Sequence, residues 1–126
     1  MISLEQVLRI HSVTISRFGG ADGVRDMNGL ESALARPFQS FDATDLYPTS
    51  FEKAAAIGES IIANHPFIDG NKRTGYLLME ALLRIDGKRI TATDDDLYNF
   101  ITNISTGSIS FDEIVAWLMA NTKTNL

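Results

Sequence analysis

The sequence contains no cysteine, which excludes a disulfide framework, a thiolate nucleophile and any zinc site built on sulfur. Its 11 basic residues are outnumbered by 16 acidic ones, and this balance disfavours direct binding to nucleic acid or to an anionic membrane. No apolar run approaches the roughly 18 residues that a transmembrane helix needs. The first residues also lack the basic and apolar regions of a secretory signal. These absences favour a cytoplasmic protein.

What the chain does contain is ordinary for a globular protein. It has 126 residues, of which 44% are hydrophobic and 21% are charged. A chain of this size and composition buries enough apolar surface to form a stable core without disulfide bonds or other cross-links. We therefore expect one domain over residues 1–126.

Capping residues and stop signals divide the chain into helices. Ser3 with Gln6 forms a capping-box pattern, and Thr49, Thr93 and Ser110 are followed at the same spacing by Glu or Asp. The patterns predict an all-α fold of about six helices with short connections. The predicted helices run from residue 4 to 18, 29 to 36, 50 to 64, 72 to 86, 94 to near 107, and from 111 onward. Extended structure is expected only in residues 88–91 and in part of 39–48.

One loop between two predicted helices carries more chemistry than a connection needs. Residues 65–74 read HPFIDGNKRT. Pro66 disfavours helical geometry in the residue before it, so the helix ends at His65, whose imidazole is a candidate general base. Asp69 offers a hard oxygen ligand suited to Mg²⁺ that is held jointly with phosphates.

The first turn of the helix that follows this loop has the features of an anion-binding site. Its free N–H groups and its dipole attract anions, and Gly70 permits a backbone that points successive N–H groups at one anion. The Asn71 side chain can reach a phosphate oxygen. Lys72 and Arg73 oppose the dipole, typically at a cost of ~0.3–1 kcal/mol each. A bound polyphosphate would make both favourable.

Simpler interpretations exist for each of these residues. His65 alone could be a surface histidine, Asp69 a turn former, and Lys72 with Arg73 a solvated helix start. A P-loop is excluded, because the first glycine and the preceding strand of that motif are missing. His11 lies on the apolar face of the first helix with Phe18, and we expect it to be a core histidine with a backbone partner.

The segment HPFIDGNKRTG resembles the signature of the Fic/Doc superfamily. The stretch GLESALARP at residues 29–37 and the opening helix that ends in Phe18-Gly19-Gly20 are similar to death-on-curing (Doc-like) toxins. The resemblance covers nearly the whole chain. It implies a compact helical bundle, with the active-site loop between two central helices and a short extended flap.

The resemblance also implies a role for each residue of the motif. His65 matches the catalytic base and Asp69 the residue that coordinates Mg²⁺. The phosphates of ATP would be bound by Gly70, Asn71, Lys72 and Arg73. A flap that aligns the target protein by strand addition would comprise Thr44, Asp45, Leu46 and Tyr47.

The residue at position 72 helps to distinguish between two possible reactions, phosphoryl transfer and adenylyl transfer. Adenylyl-transferring members usually carry glycine at this position, whereas Doc-like toxins carry lysine and transfer a terminal phosphoryl group. The resemblance therefore implies transfer from Mg-ATP to a hydroxyl side chain of a translation protein of the elongation factor Tu class, which arrests growth. Adenylyl transfer is the alternative, because Pro66 and Gly70 are more typical of Fic members. A degenerate module that acts only by binding is a further alternative, against which the intact motif argues.

Residues 108–112 are the nearest match to the inhibitory helix of many Fic proteins, but they lack its glutamate. Inhibition is therefore expected from a partner antitoxin that docks beside the active site.

Overall fold

The computed structural model describes residues 2–124, and side-chain caps start most of its helices. Ser3 and Ser110 form complete capping boxes, and Thr93 accepts a hydrogen bond from the backbone of Asp96. The all-α prediction is confirmed. The six α-helices are α1 (Leu4–Phe18), α2 (Met27–Ala35), α3 (Ser50–Asn64), α4 (Asn71–Ile85), α5 (Asp94–Ser105) and α6 (Phe111–Ala120).

Two boundaries differ from the sequence prediction around α2. The helix begins two residues earlier than expected, because the Asp26 carboxylate accepts a hydrogen bond from the N–H of Gly29 and caps it. Pro37 does not end the helical conformation abruptly. It lies inside a 3₁₀ turn, Arg36–Phe38, whose first positions tolerate a residue without an N–H.

The expected capping box at Thr49, at the start of α3, is incomplete. The Glu52 carboxylate accepts a hydrogen bond from the Thr49 hydroxyl instead of from the Thr49 backbone N–H.

Four short strands accompany the helices. The strands β1 (Ser40–Phe41) and β2 (Thr44–Asp45) form an antiparallel hairpin in the region expected to be extended. Its two central residues, Asp42 and Ala43, have φ of 52° and 64°, as a tight hairpin turn requires. The predicted strand β3 (Lys88–Ile90) pairs with β4 (Thr122–Thr124), which the sequence pattern did not indicate.

The core centres on α3, which packs against α2, α4, α5 and α6. Two glycines bring α3 and α4 together. A methyl group at Gly58 would overlap the Met79 side chain, and one at Gly75 would overlap Ile62. This close packing fixes the ends of α3 and α4, and the motif loop connects those ends. Within residues 2–124, no helix has both the length and the apolar character to cross a bilayer.

We expect Gly75→Ala to lower the free energy of unfolding by about 1–3 kcal/mol, because the new methyl group overpacks the α3–α4 contact. Chemical denaturation measures the change. In an Ile62→Ala background the methyl group has room, so the same substitution should be much less harmful. Stabilisation by about 1 kcal/mol, which helix propensity alone would give, would contradict the packing argument.

Candidate functional site

The motif loop leaves α3 in an unusual backbone conformation. His65 caps the helix with φ 52° and ψ 60°, in the left-handed region. The sequence predicted correctly that α3 ends here, but a residue before proline ordinarily prefers extended geometry. A non-glycine residue keeps a left-handed conformation only where its surroundings stabilise it. Gly70 at the other end of the loop has φ 78° and precedes α4.

Arg25 supplies that stabilisation for His65. Its Nε donates a hydrogen bond to the His65 carbonyl at 2.8 Å, and its Nη2 donates to the carbonyls of His65 and Asn64. The backbone N–H groups of Arg25 and Asp26 both donate to the Pro66 carbonyl. The exposed end of α3 is therefore bonded by a segment some forty residues earlier in the chain. No local sequence pattern indicates this role, since Arg25 lies between helices in an irregular stretch.

The middle of the loop is held by Asn71 and Phe67. The Asn71 side chain accepts a hydrogen bond from the Phe67 N–H and donates one to the Phe67 carbonyl, each at 3.0 Å. Both polar atoms of the buried amide are thus used inside the loop. The expectation that this side chain reaches a phosphate oxygen does not fit this geometry. What Asn71 can offer an anion is its backbone N–H in the first turn of α4.

His11 holds the acidic end of the loop. Its ring is buried and stacks on Phe67, with 3.8 Å between ring centroids. Its Nε2 lies 2.7 Å from the Asp69 carbonyl. Because a carbonyl only accepts, Nε2 carries the proton in this bond. Its Nδ1 lies 3.3 Å from the Asp22 carboxylate. The prediction of a core histidine with a backbone partner is confirmed.

Residues at the start of the segment between α1 and α2 hold the Asp69 side chain in its orientation. One carboxylate oxygen accepts a hydrogen bond from the Ala21 N–H at 2.7 Å, and the other bonds no group within residues 2–124. Gly20 makes room for this arrangement, since a methyl group there would lie 3.1 Å from the Asp69 Cβ. The sequence indicated only a helix stop at Gly19-Gly20. The second glycine therefore has a positional role that the pattern could not reveal.

The first turn of α4 carries positive charge without a compensating acid. It has no side-chain cap and no acidic residue, whereas Lys72 and Arg73 are exposed there. The Arg73 guanidinium carbon lies 3.8 Å from the centre of the Phe18 ring. Phe18, expected on the apolar face of α1, is in fact 60% exposed, and Arg73 covers it.

All six motif residues predicted from the sequence line one cavity of about 350 Å³, together with Arg25. The six are His65, Asp69, Gly70, Asn71, Lys72 and Arg73.

The residues predicted as a flap do not line this cavity. Thr44 and Asp45 form β2, and Leu46 is half exposed. The Tyr47 hydroxyl accepts a hydrogen bond from Arg36 at 3.0 Å, so it anchors the base of the hairpin. The structure thus brings the motif residues together in one cavity, and the hairpin is not part of its lining.

The family model and two similar proteins all belong to the same protein family. The model of the Fic/DOC family matches residues 1–83. A protein named Toxin Doc, from Mycolicibacterium smegmatis, is 37% identical over 119 residues, which cover 90% of this chain and 87% of that protein. A protein named Protein kinase doc, from Escherichia phage P1, is 29% identical over 113 residues, which cover 90% and 88% of the two chains.

We expect Arg25→Ala to lower the free energy of unfolding by about 1–3 kcal/mol, because it leaves the carbonyls at the end of α3 without their charged donor. The amide of Ile68, which bonds Gly23 beside Arg25, should also exchange faster with deuterium. Arg25→Lys should not restore either property, since one ammonium cannot reproduce the guanidinium fork. Arg89→Ala, at an exposed strand position, is the control and should change stability by no more than about 0.5 kcal/mol.

Proposed function

The chain belongs to the Fic/DOC family, and from that premise we propose that it is a Doc-like toxin that acts as a protein kinase. In this proposal it transfers the terminal phosphoryl group of ATP to a hydroxyl side chain of a translation protein and so arrests growth. The observation that carries the proposal is the single cavity that joins His65, Asp69 and the positively charged first turn of α4.

His65 would act as the general base. It is exposed, and it is the one histidine among the residues that line the cavity, where its imidazole can accept a proton from a hydroxyl group. The oxygen of the target hydroxyl bonds to the γ-phosphorus, and the bond from that phosphorus to the bridging β–γ oxygen breaks. ADP leaves with the electron pair, and the hydroxyl proton passes to His65.

Asp69 would hold Mg²⁺. No group of three or more His, Asp or Glu residues that could hold a metal exists in residues 2–124. A single carboxylate with one oxygen free of protein partners fits Mg²⁺, which usually takes one or two carboxylates together with substrate phosphates. When bound, the ion neutralises charge on the phosphates. Asp69 is kept in place for this by Ala21, Gly20 and His11.

The start of α4 would bind the phosphates. The N–H groups of Asn71, Lys72 and Arg73 precede the first helical hydrogen bond, which Thr74 donates to Gly70. They point out of the helix N-terminus, where the dipole also favours an anion. Gly70 lets the backbone turn into α4 without a side chain, and a methyl group there would press on Ile15 at 3.1 Å. Lys72 and Arg73 add two full charges.

Phosphoryl transfer is proposed over adenylyl transfer because Lys72 occupies the position where adenylyl transferases carry glycine. The name of the phage P1 relative, Protein kinase doc, supports the same choice. Adenylyl transfer by the same residues is the alternative. A translation factor of the elongation factor Tu class is the proposed target by family resemblance.

The β1–β2 hairpin is the proposed alignment surface for the target. Each strand of a two-stranded sheet has one edge without a partner, and an extended segment of the target can pair there. Thr44, Asp45, Leu46 and Tyr47 would form this flap. We also propose a cytoplasmic location and neutralisation by a protein antitoxin beside the active site, without direct contact of this chain to nucleic acid.

Isotope labelling tests the reaction. Incubation with ATP labelled at the γ-phosphate should label the target protein, whereas label at the α-phosphate should not be retained. His65→Ala should abolish both the labelling and the growth arrest on expression, because no other base replaces the imidazole. Retention of the α label would establish adenylyl transfer instead. Equal growth arrest by the wild type and His65→Ala would favour action by binding alone.

Two neighbouring glycines offer a matched test of Asp69. Gly19 and Gly20 both have positive φ, 87° and 108°, but a methyl group at Gly19 meets nothing within 4 Å. We therefore expect Gly20→Ala to weaken Mg²⁺-dependent ATP binding by about 10-fold or more, since it displaces the metal ligand. Gly19→Ala should cost similar backbone strain and leave that affinity nearly unchanged. Calorimetric titration measures both, and equal losses would contradict the role of Gly20.

A further inference from the structure

A polar cavity of about 350 Å³ lies between α2 and α3, and none of its lining residues lines the motif cavity. We call it the α2–α3 cavity. Most of its lining residues have polar side chains, and neither Asp nor Glu is among them. These polar residues are Ser32, Arg36, Gln39, Ser60 and Asn64.

The α2–α3 cavity extends from the hairpin to the end of α3. Gln39, at one end, directly precedes β1, and Asn64, at the other end, directly precedes His65. The Gln39 carbonyl accepts a hydrogen bond from the Leu46 N–H. Because bonded and non-bonded pairs alternate in an antiparallel ladder, the polar backbone groups of the next residue, Ser40, point away from β2. The free edge of β1 therefore begins beside the cavity.

Arg36 and Ser60 bring unused hydrogen-bond donors to the cavity. The Arg36 Nε donates to the Tyr47 hydroxyl, and its Nη1 donates to Glu59 and to the Ser60 hydroxyl oxygen. Nη2 donates to no group in the part of the chain that the structure describes. Ser60 is only 6% exposed, and its hydroxyl oxygen accepts the bond from Arg36 at 3.0 Å. The hydroxyl proton of Ser60 is thus available to a second partner.

These donors favour a ligand that only accepts hydrogen bonds. Arg36 is the one charged residue that lines the cavity, and its partner Glu59 engages Nη1 and leaves Nη2 available. The Ser32 hydroxyl and the amides of Gln39 and Asn64 add further donors. A carboxylate can accept from all of these groups, and its bond to a guanidinium is strengthened by charge.

We infer that the α2–α3 cavity receives an acidic side chain, Asp or Glu, of the target protein, close in sequence to the hydroxyl that is modified. This inference rests on the proposed function, since it assumes that the target pairs with the hairpin and presents its hydroxyl to His65. A segment that reaches from β1 to His65 passes over the cavity, because the cavity extends between them. The carboxylate then fixes which hydroxyl of the segment reaches the base.

The test measures initial rates of label transfer from γ-labelled ATP to purified elongation factor Tu by the full chain. Ser32→Asp places a carboxylate in the cavity and should raise the KM for the target about tenfold or more, because like charges then meet. The kcat and the KM for ATP should change little, since Ser32 does not line the motif cavity.

Two control variants separate local charge from other effects. Ser32→Asn adds a side chain of similar size without charge and should keep the KM of the wild type. Asn103→Asp adds the same charge at an exposed position of α5 outside the cavity and should also keep it.

Substitutions in the target complete the test. Mass spectrometry locates the modified hydroxyl, and each flanking Asp or Glu of elongation factor Tu is then replaced in turn by Asn or Gln. One replacement should raise the KM about tenfold, since its carboxylate no longer bonds Arg36. That target should no longer distinguish Ser32→Asp from Ser32→Asn.

The outcomes separate this inference from the proposed function. If label is transferred but Ser32→Asp leaves the KM unchanged, or raises it equally for every target variant, the acidic subsite is overturned while phosphoryl transfer stands. If the wild type transfers no label to elongation factor Tu, the proposed function fails for this target and the subsite fails with it.

Discussion

Three side chains that bond the backbone of the α3–α4 loop determine the geometry on which the site depends. Arg25 bonds the carbonyl of His65, Asn71 bonds both polar groups of Phe67, and His11 bonds the carbonyl of Asp69. Without such partners, the loop would leave backbone polar groups without hydrogen bonds, at about 1–3 kcal/mol for each one that is buried. The same bonds fix the direction of the residues that carry the chemistry. Stability of the loop and precision of the site therefore have one physical origin.

The first turn of α4 shows how the fold accommodates an unfavourable charge. A cation at a helix N-terminus costs ~0.3–1 kcal/mol, and a cation–π contact contributes about 0.5–1 kcal/mol at an exposed position. Stacking on Phe18 can thus offset the cost at Arg73. Lys72 has no such contact within residues 2–124. It remains an uncompensated charge beside free N–H groups, which is the arrangement that an anionic ligand would stabilise.

Arg36 connects the base of the hairpin to α3, the helix that leads into the motif loop. Arg36 bonds Tyr47 at the base of the hairpin and pairs with Glu59 of α3 at 2.9 Å. Its guanidinium also lies over the rings of Tyr47 and Phe111. A rigid anchor at the base leaves the strands themselves exposed. This is the arrangement needed by a surface that receives an extended segment of another protein.

The local features of the fold follow from short-range patterns in the amino-acid sequence. Ser3, Thr93 and Ser110 mark helix starts because a capping bond spans three residues, and the motif residues meet in one cavity because nine positions of chain cannot separate them. Other features come from the packing of distant segments: the roles of Arg25, Gly20 and His11, the pairing of β4 with β3, and the cavity between α2 and α3. Each of these depends on the distance between segments far apart in the chain. Such distances follow from how the helices pack, and no local pattern of residues encodes them.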